Sequence, residues 1–223
     1  MKAKKKIYAP LFLFVILSHF AKAQDTLKTI NPKSLIPIEI LVGNNRLYNQ
    51  MIIKRNITSN NKLGVLNISS FSADYKNDIS KNEYLSSTAL YYNIFKGIAV
   101  NTGATFNAAE GIKPFIGLQY FYASKTIMIL YLPSYYYLED RKLSNLVMLE
   151  YKPKISRKWS VYSRLQGFYA HNVETNSHAR SYIYARAGLT YSNYTFGLGI
   201  NSDWYGQKKL AKDNYGLFMR LTL

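Results

Sequence analysis

The closing residues of the chain alternate in polarity without interruption. Tyr215, Leu217, Met219, Leu221 and Leu223 fall on one side of a period of two, and Gly216, Phe218, Arg220 and Thr222 on the other. Such a period is the signature of an extended strand with two unlike faces. The pattern recurs upstream. Tyr194, Phe196, Leu198 and Ile200 alternate with Thr195, Gly197, Gly199 and Asn201, and Ile183, Ala185, Ala187, Leu189 and Tyr191 with Tyr184, Arg186, Gly188 and Thr190. Around 159–170, Trp159, Val161, Leu165 and Tyr169 oppose Tyr162, Arg164, Gln166 and Phe168, with Ser163 and Gly167 diluting the apolar side. No window after Gln24 sustains a helical period over ten or more residues. The mature chain is therefore all-β, its strands separated by turns rich in Asn, Lys, Ser and Gly.

Two settings produce this alternation. A soluble sandwich or barrel buries the apolar set and wets the polar one. A membrane barrel turns the apolar set to lipid and the polar, glycine-rich set to its lumen. Gly103, Gly188, Gly197, Gly199 and Gly216 all fall on the less apolar face, where a soluble surface would carry Lys, Glu or Thr. The expected fold is a closed antiparallel transmembrane β-barrel. A soluble exported barrel or sandwich acting as a binding module is the main alternative.

The N-terminus supports export. Lys2, Lys4, Lys5 and Lys6 precede an apolar run from Tyr8 to Phe20, and Ala21, Lys22 and Ala23 then form a small-x-small cleavage pattern ahead of Gln24. Residues 1–23 are expected to be a signal peptide, 24–34 a periplasmic lead-in and 35–223 the barrel. The formal charge of +17 would otherwise suggest nucleic acid. Removing 1–23 takes five lysines and no acid, leaving 24 basic against 12 acidic groups in an extracytoplasmic product. No nucleic-acid partner is expected. The absence of cysteine excludes disulfides, thiolate metal sites and Cys nucleophiles, and three histidines leave little for a metal site. No cofactor is expected, and no P-loop, dinucleotide fingerprint or calcium loop is present.

Twelve strands are expected, at about 36–43, 46–57, 63–75, 84–94, 97–106, 112–123, 126–138, 144–152, 159–171, 181–191, 194–203 and 214–223, with ten as the fallback. The first is the weakest, and Pro133 inside the seventh is awkward where no strand is an edge. The connections read as alternately long or polar and tight: 206–214, 172–180, 139–144, 107–111 and 76–82 in the first class, and 192–193, 124–125 and 95–97 in the second, with 153–158 intermediate. Long loops facing outside and short turns facing the periplasm would give this phase. Of the 21 tyrosines, Tyr48, Tyr91, Tyr92, Tyr120, Tyr122, Tyr135 to Tyr137, Tyr151, Tyr162, Tyr191, Tyr194 and Tyr215 lie near strand ends. They are expected to form an interfacial girdle.

Three stretches carry a resemblance: the junction Ala21-Lys22-Ala23 to Gln24, the turn at 149–155 before Trp159, and the closing segment 214–223. Through them the chain resembles small outer-membrane β-barrel proteins of the Bacteroidetes type. The closing residue departs from the usual phenylalanine, being Leu223. The resemblance implies residence in the outer membrane of a Gram-negative bacterium, and assembly there by the outer-membrane assembly machinery. It implies no particular activity.

The chemistry then rests on inward charges. Lys54, Asp74, Glu150, Arg164, Arg186, Asp203 and Arg220 fall on the face opposite the lipid. One reading is a largely filled lumen in which Arg164 and Arg186 pair with Glu150 and Asp203, since a buried charge must find a partner. That makes a structural or interaction protein. The other is a basic constriction that attracts small anionic solutes, as in an arginine-lined porin-like channel of about a dozen strands. An enzyme would need residues at the outer rim, where His171, Glu174 and His178 lie on or beside one loop as a catalytic or metal-ligating set. Their spacing matches no hydrolase pattern, and the expectation is that the protein is not an enzyme. Lys208, Lys209 and Lys212 around Asp213 could meet lipopolysaccharide phosphates, and Lys154, Arg157 and Lys158 would lie on the periplasmic side. Outer-membrane lipid and lipopolysaccharide are the partners expected of such a surface.

Overall fold

In the computed structural model the described residues are 35–76, 78, 81–138 and 141–223. The expected signal peptide, and the lead-in up to residue 34, lie outside them. Twelve strands follow in order: β1 (Pro37–Gly43), β2 (Arg46–Asn56), β3 (Leu63–Asp74), β4 (Glu83–Phe95), β5 (Ile98–Asn107), β6 (Gly111–Ala123), β7 (Ile127–Tyr136), β8 (Lys142–Tyr151), β9 (Trp159–Asn172), β10 (Ser177–Tyr191), β11 (Tyr194–Tyr205) and β12 (Leu210–Thr222). Each pairs antiparallel with its sequence neighbour, and β1 pairs with β12 from Pro37↔Thr222 to Gly43↔Gly216. The sheet closes on itself.

The faces divide as the alternation requires. Leu198 and Leu217 are each 66% exposed on the outer wall, while Arg186 is 2% and Arg220 7% exposed inside. Isoleucines, leucines and aromatics cover the rest of the exterior, an apolar surface that water would not tolerate on a monomer. A closed barrel leaves no strand edge to satisfy, so hydrocarbon can accept it. These are the faces of a transmembrane β-barrel, apolar outside and charged within, and the two-sheet sandwich is excluded. With twelve strands, an even number, both termini of the barrel lie at one end, which is the periplasmic end.

The connections differ from expectation. Residues 172–180 and 206–214 were expected to be long loops, but the ladders of β9–β10 and β11–β12 continue through them. Only 173–176 and 206–209 remain outside strands. The polar residues there lose the apolar alternation yet keep pairing, with a register shift between His178 and Arg180. Loop length therefore does not sort by parity: 152–158 on the periplasmic side exceeds 173–176 on the outer side. At the tight β4–β5 turn Lys96 and Gly97 both take positive φ, 34° and 86°, as a two-residue hairpin turn of the twist-compatible kind requires.

Pro133 lies within β7, which is paired on both sides. It pairs with Asn145 of β8. On the β6 side the ladder passes from Gly117↔Ser134 to Tyr120↔Tyr131, omitting the residues between, because proline has no N–H to give.

The tyrosines also divide. Tyr92, Tyr122, Tyr151, Tyr191, Tyr194 and Tyr215 are exposed on the outer wall, as a girdle demands. Tyr48, Tyr91 and Tyr162 are instead buried inside the barrel, where a long ring with a terminal hydroxyl fills space and still finds a polar partner.

An arginine placed on the lipid face would meet hydrocarbon with no partner. Leu198→Arg is expected to cost about 2–4 kcal/mol if the site lies near the bilayer midplane, measured by reversible denaturant unfolding in lipid vesicles. Leu198→Ile is expected to leave the transition nearly in place.

Candidate functional site

The lumen has two unlike walls. From β2 to β8 it is largely apolar, with Leu66, Ile68, Tyr91, Ala99, Leu130 and Met148 buried against Ile52, Phe121, Met128, Leu132 and Leu146. From β8 through β12 to β1 lie most of the inward ionisable side chains, joined at the outer end by Arg46 of β2 and Glu83 of β4. Here the pleat aims one ionisable side chain after another inward: Glu150 on β8 stands beside Arg164 on β9, and Arg164 beside Arg186 on β10. The next strand offers Gly199 opposite Arg186. A side chain at Gly199 would collide with the Arg186 stem and with Leu41, so glycine is what lets the guanidinium swing across.

Two networks result. In the first, Glu39 of β1 accepts at Oε1 from Arg164 Nη2 (2.7 Å) and Arg186 Nε (2.8 Å). Arg186 also donates to the carbonyls of Ala185 and Ile200. Beside it, Glu150 accepts from Arg220 Nη1 (2.8 Å), Lys152 Nζ (2.9 Å) and Tyr162 Oη (2.9 Å), and Arg220 also contacts Tyr162 Oη. Glu39 and Arg164 are separated around the ring by β10, β11 and β12, so their bond is a chord across the lumen. Glu39 is 1% exposed.

The second network lies at the outer end. Asp203 accepts from Arg46 (2.9 Å), Arg180 (2.9 Å) and Tyr184 Oη (2.9 Å). Glu83 accepts from Lys212 (2.9 Å) and Tyr205 Oη (2.6 Å), and lies 3.6 Å from Arg46 and 3.5 Å from Arg180. β4 and β10 have five strands between them in either direction, so the Glu83–Arg180 pair spans the full diameter. Asn214 holds Arg46 in place by accepting from its N–H and donating to its carbonyl. A cavity of about 100 Å³ sits in the lumen, between apolar groups such as Leu66 and Phe115 and polar ones such as Gln50, Thr105 and Arg180.

Of the residues predicted from sequence, Glu150, Arg164, Arg186 and Arg220 belong to the first network and Asp203 to the second. Lys54 lies against the apolar wall, its Nζ 2.9 Å from Tyr91 Oη and 4.4 Å from the centre of the Phe121 ring. Asp74 does not join either network. At the rim its carboxylate accepts from the Lys76 N–H (2.7 Å). The expected pairing is also corrected: Arg164 and Arg186 take Glu39, not Glu150 and Asp203, which go to Arg220 and to Arg46 with Arg180. Glu39 is faint in the sequence because its strand is the shortest of the twelve. Its signal was an acid between Ile38 and Ile40 on an alternating segment. Glu83 and Arg180 lie just outside the expected strands 84–94 and 181–191 but within β4 and β10.

His171, Glu174 and His178 turn to separate partners. His171 Nε2 faces Asn176 Oδ1 (3.1 Å), and Glu174 pairs with Arg141 (2.9 Å). His178 sits between the Gly206 carbonyl (2.7 Å, at Nδ1) and Ser181 Oγ (2.9 Å, at Nε2). A carbonyl only accepts, so Nδ1 carries the proton. Among the described residues no three His, Asp or Glu side chains are grouped so as to hold a metal ion.

Glu39→Ala would strand two buried guanidinium groups. It is expected to cost about 3–5 kcal/mol, read as a large fall in the denaturant midpoint of the folded, heat-modifiable form. Glu174→Ala, at an exposed pair, is expected to leave that midpoint unmoved.

No protein-family model matches the sequence, and no curated protein matches it. Solved structures give likenesses of fold. A KdgM porin in complex with disordered oligogalacturonate aligns at TM-score 0.46 and 8% identity, over 85% of this chain and 99% of that one. A NanC porin aligns at 0.43 and 10%, over 85% and 100%. LpxR from Salmonella typhimurium aligns at 0.41 and 7%, over 84% and 99%.

Proposed function

We propose that the protein is a narrow outer-membrane channel for small anionic solutes. The observation that carries this reading is the imbalance of lumen charge. The first network sets four cations, Arg164, Arg186, Arg220 and Lys152, against Glu39 and Glu150. The second sets Arg46, Arg180 and Lys212 against Glu83 and Asp203. Low-dielectric walls focus the field of such an excess along the axis and raise the local concentration of anions. Polar groups are also left over among the described residues: Nε of Arg164 and Arg220 and Nη2 of Arg186 meet no protein acceptor, and Glu39 Oε2 meets no donor. An entering carboxylate or phosphate could take those nitrogens and displace Glu39 or Glu150 in part, exchanging one acceptor for another at little net cost.

A second reading is a structural or interaction barrel with a closed lumen. The pair Glu83–Arg180 across the diameter favours it. In the channel reading that pair is a closed constriction that an anion or a fluctuation opens. Lys208 and Lys209, exposed at the tip of β11–β12, remain available to lipopolysaccharide phosphates, whereas Lys212 is engaged by Glu83. Assembly by the outer-membrane machinery fits a barrel whose last strand is built from 210–222.

Planar-bilayer recording separates the two. Purified protein is expected to show small anion-selective conductance, with the reversal potential under a salt gradient shifted toward that of the anion. Arg164→Gln with Arg186→Gln is expected to reduce that shift. Glu83→Gln, which weakens the diametric contact, is expected to raise conductance and sharpen the selectivity. A lumen that stays silent in both the parent protein and Glu83→Gln would support the closed barrel instead.

A further inference from the structure

The two ends of the barrel differ in charge more sharply than its two walls. Among the described residues every aspartate and glutamate except the inward Glu39 and Glu150 lies toward the outer end. The periplasmic turns carry only cations. Lys62, Lys96 and Lys125 occupy three of them, and the β8–β9 connection carries Lys152, Lys154, Arg157 and Lys158.

That connection is an ordered shelf. It folds back on the start of β9, with Ile155 and Ser156 N–H both donating to the Trp159 carbonyl (2.9 and 3.1 Å) and Lys154 bridging to Ser160. The Val161 N–H donates to the Pro153 carbonyl (2.9 Å), and Ser192 N–H ties the neighbouring β10–β11 turn to the Lys158 carbonyl (3.1 Å). Between shelf and turn lies a groove of about 340 Å³, lined by Lys154, Arg157, Lys158, Ser156 and Ser192. Lys152 spends its charge on Glu150, but the three cations of the groove form no ion pair with a described acid. The groove opens beside lipid-facing aromatics: Trp159 lies 4.9 Å from Tyr191 and 6.2 Å from Phe196, ring centre to ring centre.

We propose that this groove binds the phosphate of an anionic phospholipid headgroup in the periplasmic leaflet. Three unneutralised cations and two hydroxyls suit a phosphate diester, since each oxygen can accept from an ammonium, a guanidinium or a serine. The adjoining Trp159, Tyr191 and Phe196 present the face an acyl chain would run along, with the indole and phenol at the headgroup level. A lysine or arginine cluster at a membrane boundary draws anionic lipid out of proportion to its abundance. The proposal goes beyond the lumen and does not depend on whether it conducts.

The protein has two tryptophans, so Trp204→Phe leaves Trp159 as the only one. The full barrel carrying that change would be placed in phosphatidylcholine vesicles containing equal mole fractions of chain-brominated phosphatidylglycerol or chain-brominated phosphatidylcholine. Brominated phosphatidylglycerol is expected to quench Trp159 at least about twofold more strongly. Lys154→Gln, Arg157→Gln and Lys158→Gln together are expected to erase the difference, with heat-modifiable mobility confirming that the barrel is folded. Lys125→Gln, on another turn of the same rim, is expected to keep it. Equal quenching by the two lipids, or a preference that survives the triple change, overturns the proposal. Loss of the preference in Lys125→Gln overturns it too, assigning the effect to the whole rim. Loss on adding inorganic phosphate at unchanged ionic strength would make the ligand a free phosphate and overturn the lipid assignment.

Discussion

The pairing of β1 with β12 removes the last free strand edges, and with them the last backbone donors and acceptors that hydrocarbon would leave unsatisfied. Closure has a second consequence. In an open sheet an inward charge can turn toward water, whereas in a ring of twelve strands it meets whatever stands on the far wall. Glu39 reaches Arg164 across three intervening strands, and Glu83 reaches Arg180 across five. Closure and the ion-pair chords therefore reinforce one another. The ring brings together residues about a hundred or more positions apart, and the Glu39 chord ties the first strand of the barrel to β9 and β10.

How much of this could be read from the residues depended on which interactions were local. Strand identity and facing were legible because the pleat repeats every two residues and because lipid and lumen select opposite residue types. Leu198 and Arg186 declare their sides without reference to any neighbour. Partnership was not legible. Arg186 stands in register beside Arg164, a like charge, and the acid that neutralises both comes from a seven-residue strand at the other end of the barrel sequence. Loop length was misread for a related reason. At 177–180 and 210–213 polar and apolar residues no longer sort by face, so alternation vanishes while the ladder persists. Above the bilayer, water replaces lipid outside the wall, and the sequence loses its reason to alternate although the backbone keeps its reason to pair. Tyrosine was ambiguous because one chemistry serves two places: the ring-and-hydroxyl of Tyr194 suits the headgroup boundary, and that of Tyr162 suits a carboxylate inside.

The division of the lumen follows from the same geometry. Apolar side chains of β2 to β8 pack together on their half and border the cavity of about 100 Å³. On the other half, Tyr48, Tyr162, Tyr184 and Phe218 pack with Leu41 around the guanidinium groups, and Arg186 and Arg220 lie over the Phe218 and Tyr162 rings at 5.8 and 4.8 Å. Aromatic faces stabilise cations without neutralising them. This is how the charged wall holds more arginines than carboxylates.

That surplus is the feature least explained by stability. A buried ion pair is seldom more stable than well-packed apolar residues of the same volume, and the opposite wall of this barrel carries an apolar cluster. If occlusion were the only requirement, leucines and phenylalanines would meet it on both sides. The two networks instead retain costly desolvated groups, set cations above acids, and leave guanidinium nitrogens and one carboxylate oxygen without protein partners. Each of those is unfavourable to a plug. Together they are what supports the proposed reading, in which an entering anion supplies the negative charge that the two networks lack.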